Sequence, residues 1–273
     1  MSGSRGFVDD RRSVLRMMGT DARAVLQNVV TNDVDEVRPG QAVYAALLTP
    51  QGKFLFDFML IAAAGGAILI DVASDRAEAL AQRLKMYCLR RDARLEGASG
   101  FGVGLILGAA SPGPGMIEDI VVIDPRDPAL GWRVYSEDPA AALAALGIEP
   151  ADRADYDALR VAHMVPETGI ELVPDETYIL EAGFAALNGV DFRKGCYVGQ
   201  EVTARMHHKT ELKKRLVRVR VEGTAPPGTP ITAQGRPAGT LFTQADGQAL
   251  AHLRLDRAKG PLEAGDARVI YDG

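Results

Sequence analysis

The chain is poor in the residues that most often carry redox, metal or base-stacking chemistry. Of 273 residues, two are cysteine, four histidine and one tryptophan, and aromatic residues make up 6%. Cys88 and Cys196 stand too far apart for a paired metal-ligand spacing, and a chain of this length needs no disulfide to hold its core. Both are expected as reduced thiols. A cluster held by one copy of a chain usually takes about four thiolates, so any iron–sulfur cluster here belongs mostly to another protein. His207 and His208 are neighbours, and adjacent side chains diverge on a helix or a strand, so they lack the i, i+4 spacing of metal pairs. HExxH, Walker and paired-cysteine motifs are missing as well, and no permanently bound metal is expected. No apolar run has the length of a bilayer span, and the opening MSGSRGFVDDRRS lacks the hydrophobic middle of an export signal. These absences predict a cytoplasmic protein without a membrane partner. The absence of a ladder of rings for stacking bases counts against nucleic acid.

What is present is ordinary globular material, 47% apolar and 25% charged, with a formal charge of −5. The charge is uneven. Residues 193 to 220 hold nine lysines and arginines against Glu201 and Glu211 alone. Such a segment suits a small anion, an acidic partner or RNA, and it equally suits a solvated surface strand.

Thr20 and Asp21 can cap a helix with Ala22, Val25, Leu26 and Val29 at helical spacing, broken by the TND at 31–33. VYAALLTPQGKFLFDFMLIAA reads as a hairpin around Pro50-Gln51-Gly52, and AILIDVA as a further strand. Asp75 and Glu78 resemble a capping box opening a helix whose stripe includes Leu80, Ala81, Leu84, Tyr87 and Cys88, so Cys88 reads as apolar filler. Gly100, Gly102 and Gly104 do not make a dinucleotide loop, because apolar residues and then SPGPG follow where a helix is required. A strand around Trp132 and a short helix in PAAALAALG come next. After residue 212, RLVRVRV alternates as a half-buried strand, and turn signals at hairpin intervals predict a small antiparallel barrel or sandwich. The class is α+β, with a first region over 1–212 and a second over 213–273.

The chemistry concentrates in DFRKGCYVGQEVTARM. A helix starting at Gln200, with Gly199 near its N-cap, leaves Cys196 just ahead of the exposed amides and beside Arg193 and Lys194. Amide dipoles and cations favour a thiolate, Glu201 opposes it, and the alternative is a packed, inert thiol. Glu181, in YILEAGF, lies among apolar residues. It suits either a ligand's paired N–H edge, such as that of a pterin, or an arginine at the surface.

The stretch KGCYVGQEVTARMHHKTELKKRL resembles the signature of the YgfZ-type folate-binding proteins, especially their mitochondrial branch, which serves assembly of 4Fe–4S proteins. LQNVVTNDV, ALLTPQGKFLFDF, LEAGF and AQGRPAGTLFTQADGQALAHLR extend the likeness to most of the chain, with residues 95 to 155 matching loosely. The wider superfamily includes the aminomethyltransferase of glycine cleavage, which binds tetrahydrofolate between three domains. The resemblance implies two interleaved ferredoxin-like α+β portions and a C-terminal antiparallel β-barrel around a central folate-binding hole. It implies that Glu181 binds the pterin and that Cys196 is the reactive sulfur, its thiolate held by Lys194 and Arg193. Gly195 and Gly199 would permit the tight loop, and Tyr197, Gln200, Glu201 and Arg205 would position the sulfur beside the ligand. Where the aminomethyltransferase has two consecutive aspartates this chain has Phe56-Asp57, so Asp57 alone remains. A phenyl ring exchanges no proton. The expected function is a tetrahydrofolate-binding accessory factor for assembly or repair of iron–sulfur clusters, its partners being assembly or client proteins. A folate-dependent one-carbon transferase using Asp57 and an RNA-modification accessory are the alternatives.

Overall fold

A computed structural model describes residues 4–97, 100–108, 110–112, 119–209 and 211–273. The break expected at SPGPG, residues 111–115, lies partly outside them. In chain order the elements begin with β1 (Arg5–Val8), β2 (Arg12–Met18), α1 (Ala22–Gln27), β3 (Ala42–Leu48), β4 (Phe54–Ala62), β5 (Ile68–Ala73) and α2 (Ala77–Tyr87). They continue with β6 (Arg94–Glu96), β7 (Gly102–Leu107), β8 (Ile120–Ile123), β9 (Trp132–Ser136), α3 (Pro139–Ala145), β10 (Glu149–Pro150), α4 (Arg153–Ala162) and α5 (Gln200–Lys209). The last six strands are β11 (Lys214–Glu222), β12 (Thr229–Ala233), β13 (Arg236–Ala245), β14 (Gln248–Arg254), β15 (Leu262–Ala264) and β16 (Ala267–Ile270).

Two five-stranded sheets share the first region, in orders β3-β4-β5-β2-β6 and β10-β1-β7-β9-β8. They are interleaved, since β1 joins the second sheet before β2 to β6 build the first. The sheets face one another across a common core that includes Val14, Tyr44 and Met59 from one and Val103, Leu105 and Tyr135 from the other. The outer face of the first sheet packs on α1 and α2 through Leu26, Phe58, Leu80 and Leu84, and that of the second packs on α3 through Ala142 and Leu143. A long run of turns from Met164 to Gly199 lies along the common core and contributes Val165, Leu172, Phe184 and Leu187 to it. The final strands close into the six-stranded barrel β11-β14-β13-β12-β15-β16. Val217, Val219 and Val221 point into its core while Arg218 and Arg220 are exposed, which is the alternation the sequence predicts. Val161 of α4 packs with Leu216, Phe242 and Leu250 to join the barrel to the rest.

Two helix starts differ from the sequence reading. Asp21 does precede α1, but its carboxylate accepts from Asp92 N at 3.0 Å while Asp92 accepts from Thr20 N and Oγ1 at 3.0 and 2.8 Å. The capping residues are used in a tertiary clamp. The Asp75/Glu78 capping box is not formed; Arg76 is the N-cap, and a 3-10 turn over Ser74–Arg76 leads into α2.

The register of β4 decides which side chains look inward. Leu47 pairs with Phe56 but Leu48 pairs with Phe54, so Leu55 is an extra residue in the strand. This bulge reverses the alternation. Phe56, Phe58 and Leu60 face the helices, and Met59 and Ile61 face the other sheet, with Asp57 on their side of the strand.

Between the sheets lies a buried ionic network. Arg133 donates to Asp71 Oδ2 at 2.8 Å and to Asp124 Oδ2 at 3.0 Å. Arg12 Nε reaches Asp71 Oδ1 at 2.6 Å, Tyr135 OH reaches Asp71 Oδ2 at 2.8 Å, and Arg126 forks onto both oxygens of Asp124 at 3.0 and 2.8 Å. Burial pushes both carboxyls up, but the flanking guanidinium groups overcome it: Arg12 and Arg133 hold Asp71 below the usual range, and Arg126 and Arg133 hold Asp124 well below it. Removing one member leaves buried charge unpaired, at a cost of roughly 3–5 kcal/mol. Asp71→Asn should therefore lower the unfolding free energy by about that amount at pH 7 in denaturant titration. Because folding depresses this carboxyl's pKa, the difference should persist above about pH 4, the unfolded value, and shrink as the pH falls below it. A loss under about 1 kcal/mol, the range of an exposed pair, would contradict the role given to the network.

Candidate functional site

The network borders a cavity of about 400 Å³ whose lining includes Asp57, Tyr156, Thr168 and six arginines: Arg11, Arg12, Arg126, Arg133, Arg153 and Arg160. Its size is that of a small-molecule site, about 300–1,000 Å³. The carboxylates on its wall are Asp9, Asp57, Asp75 and Glu167, and Asp71, Asp124 and Glu171 behind it engage Arg12, Arg126, Arg133 and Arg160. Asp57 is 3% exposed; Tyr44 OH donates to its Oδ2 at 3.0 Å and Thr168 Oγ1 donates to its Oδ1. Burial, reinforced by Asp57, pushes the Tyr44 hydroxyl well above its ordinary pKa and keeps it a donor. The strand bulge thus brings Asp57 to the cavity and turns Phe56 away, where the Arg76 guanidinium lies 5.0 Å from its ring. Of the pair Phe56-Asp57, the carboxylate faces the cavity and the ring faces the helices.

The loop from Pro166 to Ile170 closes one side of the cavity and is tied to the barrel. Glu171, fully buried, accepts from Thr243 Oγ1 at 2.5 Å and Thr243 N at 3.2 Å, and Arg160 lies between Glu171 and Asp157. Two shallower depressions, about 380 and 420 Å³, share Asn32 and Asn188 on another surface.

The KGCYVGQE motif lies apart from this cavity; none of Cys196, Tyr197, Gln200, Glu201 and Arg205 lines it. Cys196 is exposed, and its thiol makes no hydrogen bond with a described residue. Lys194 does not hold the sulfur. Its ammonium is buried and donates to the carbonyls of Gln27, Val30 and Asn32 at 2.8, 2.6 and 2.8 Å, closing the end of α1 and the turn beyond. Burial pushes its pKa down to about 8, against the pull of Asp33, Asp191 and Asp35. Arg193 projects into solvent, 94% exposed, 3.8 Å from Asp191. The expected pair of cations at the thiol is corrected accordingly: one is a structural clamp and the other is at the surface. Tyr197, 8% exposed, is buried in the common core, where burial pushes its hydroxyl up to about 12. Gln200 Nε2 donates to Gly195 O at 3.4 Å, while Glu201 and Arg205 are exposed on α5.

Only one of the motif's glycines is required by geometry. Gly199 has φ +84°, and a Cβ there would lie 2.6 Å from Thr49 O in the β3–β4 turn. Gly195 has no such constraint. Glu181 is half-buried and outside the cavity lining, and its carboxylate forms no hydrogen bond or ion pair with a described residue. Burial raises its pKa, with Lys214 and Lys53 opposing.

The fold is that of the aminomethyltransferase class. The crystal structure of glycine cleavage system aminomethyltransferase T from Bartonella henselae superposes with a TM-score of 0.78 over 98% of this chain and 84% of its own, at 16% identity. Residues 213–272 match the family described as the CAF17, C-terminal beta-barrel domain. Along most of the chain the relationship is closer: the mitochondrial iron-sulfur cluster assembly factor IBA57 of Mus musculus is 32% identical over 93% of this chain and 78% of its own length. Its Homo sapiens counterpart is 33% identical over the same shares. The chain belongs to the IBA57 family of iron–sulfur cluster assembly factors. These relatives are designated mitochondrial, which overturns the cytoplasmic expectation.

Sequence reasoning missed the arginine-lined cavity. A signal was available, since Asp57 in FLFDFML and Asp71 in AILIDVA interrupt apolar strands, and a buried carboxylate demands partners. It did not say which arginines would meet them.

The two thiols should differ in the native protein. Cys88 is half-buried, its sulfur 3.4 Å from Leu84 O, and burial pushes its pKa up. Iodoacetamide labelling followed by peptide mass spectrometry should show Cys196 alkylated at least ~10-fold faster than Cys88. Equal rates would show that the exposed placement of Cys196 is wrong.

Proposed function

We propose that this chain is a reduced-folate-binding accessory factor of the YgfZ type, and that it serves iron–sulfur cluster assembly or repair through Cys196. The observation that carries this reading is the presentation of the thiol. Its side chain is exposed while Lys194 on one side is held by three carbonyls and Tyr197 on the other is buried. A sulfur on a backbone anchored so closely meets a partner with little ordering cost. One thiolate is far fewer than the four or so that hold a cluster, so it suits transient ligation of an iron in transit, or exchange with a client thiol, better than storage. Assembly or client proteins are its partners in this account.

The residues of the cavity fit a reduced folate. Each Asp57 oxygen keeps lone-pair capacity beyond its one hydroxyl donor and suits the paired N–H edge of a pterin, and the guanidinium groups of the wall suit a carboxylate tail. This role passes to Asp57 from Glu181, which does not line the cavity. When bound, a reduced folate supplies ring nitrogens able to carry a one-carbon unit. What the chain's own residues do is orient the ring at Asp57 and neutralise the tail. A second reading, folate-dependent one-carbon transfer, rests on the same inward position of Asp57; aminomethyl exchange activity with a lipoyl carrier would favour it.

Rescue of iron–sulfur enzyme activities in a deletion strain tests the leading reading. Cys196→Ser should fold and accumulate like the wild type yet fail to rescue, whereas Cys88→Ser should rescue fully. Full rescue by Cys196→Ser would remove the thiol from the function.

A further inference from the structure

The end of α2 and the turn after it carry a surface that neither the cavity nor Cys196 uses. Met86 is 55% exposed and Leu89 73% exposed, two of the four large apolar side chains recorded as exposed among the described residues. Around them stand Arg83, Lys85, Arg90 and Arg91, all exposed, and none of their side chains makes a hydrogen bond or ion pair with a described residue. The nearby carboxylate of Asp92 is turned back onto Thr20. Cations this close together repel one another, and exposed apolar side chains gain nothing from water; both penalties disappear against an anionic surface with an apolar interior.

The backbone adds an independent sign. Arg90 has φ +62°, a left-handed conformation that glycine adopts freely and that strains an arginine. Glycine would end the helix as well, so the turn itself gives no reason for a guanidinium at this position.

We infer that this apex is a peripheral docking site for an anionic lipid bilayer, with Leu89 and Met86 entering the interface and the four cations resting on lipid phosphates. An acidic protein fits less well. Protein hot spots favour Trp, Tyr and Arg and under-represent Leu, whereas this tip joins Leu89 and Met86 to lysine and arginine, the combination of an interfacial membrane contact. A bilayer accepts a projecting tip without a pocket. The sequence reading expected no membrane partner because no run is long enough to span, but surface association requires no span. The helix α2 covers the sheet face opposite the one that meets the second sheet, so docking there leaves the arginine-lined cavity open.

Co-sedimentation of the full chain with phosphatidylcholine vesicles, with and without phosphatidylglycerol, tests the assignment. The chain should sediment with the anionic vesicles and not with the neutral ones. Met86→Glu combined with Leu89→Glu should lower the partition coefficient at least ~10-fold. Arg90→Gly, which suits the backbone, should lower it about fivefold while leaving the melting temperature equal or higher. No sedimentation, equal sedimentation on neutral vesicles, or partitioning unchanged in both variants overturns the proposal. So does cross-linking of this apex to an acidic protein by a chain that ignores vesicles.

Discussion

Arg133 lies between two carboxylates from opposite sheets, and the meeting of those sheets depends on it. Asp71 belongs to the first sheet and Asp124 precedes the β9 strand of the second, and all three side chains are almost fully buried. Hydrocarbon at these positions could pack as stably, since buried ion pairs rarely exceed an apolar replacement in stability. What charge adds is direction. The guanidinium groups are held in fixed orientation at the edge of a cavity, and the same wall that joins the sheets presents them beside the Asp57 carboxylate.

The barrel is connected to that wall rather than appended. Arg160 contacts Asp157 on its own helix and Glu171 on the loop over the cavity, and Glu171 in turn accepts from Thr243 of β13. A ligand that moves the loop over Pro166–Ile170 therefore acts on the seat of the barrel. The motif helix is fixed at a different place, with Gly199 pressed to the β3–β4 turn and Lys194 closing the end of α1. The inward cavity and the outward thiol are thus joined through one sheet.

Much of this was legible in the sequence, where a period dictated it. The hairpin around Pro50-Gln51-Gly52, the strand AILIDVA, the helix through Leu80 and Leu84 and the valine alternation of β11 follow from apolar spacing and turn chemistry. Long-range pairing was not legible. The bulge at Leu55 has no local signature, yet it exchanges the faces of Phe56 and Asp57 and with them the reading of the cavity's acid. The charges of Lys194 and Arg193 invited a thiolate argument, but three carbonyls more than 160 residues away in sequence had the stronger claim on Lys194. Similarly, Thr20, Asp21 and Asp92 satisfy one another across 71 residues instead of capping locally.

The central claim is that the inter-sheet cavity, with Asp57 on its wall, is a seat for a reduced folate. Isothermal titration of the full chain with tetrahydrofolate, wild type beside Asp57→Asn, addresses it without reference to any client protein. A saturable single-site heat, weakened at least ~10-fold in the variant, is the predicted result. No heat up to about millimolar ligand, or equal affinity in both proteins, would contradict it.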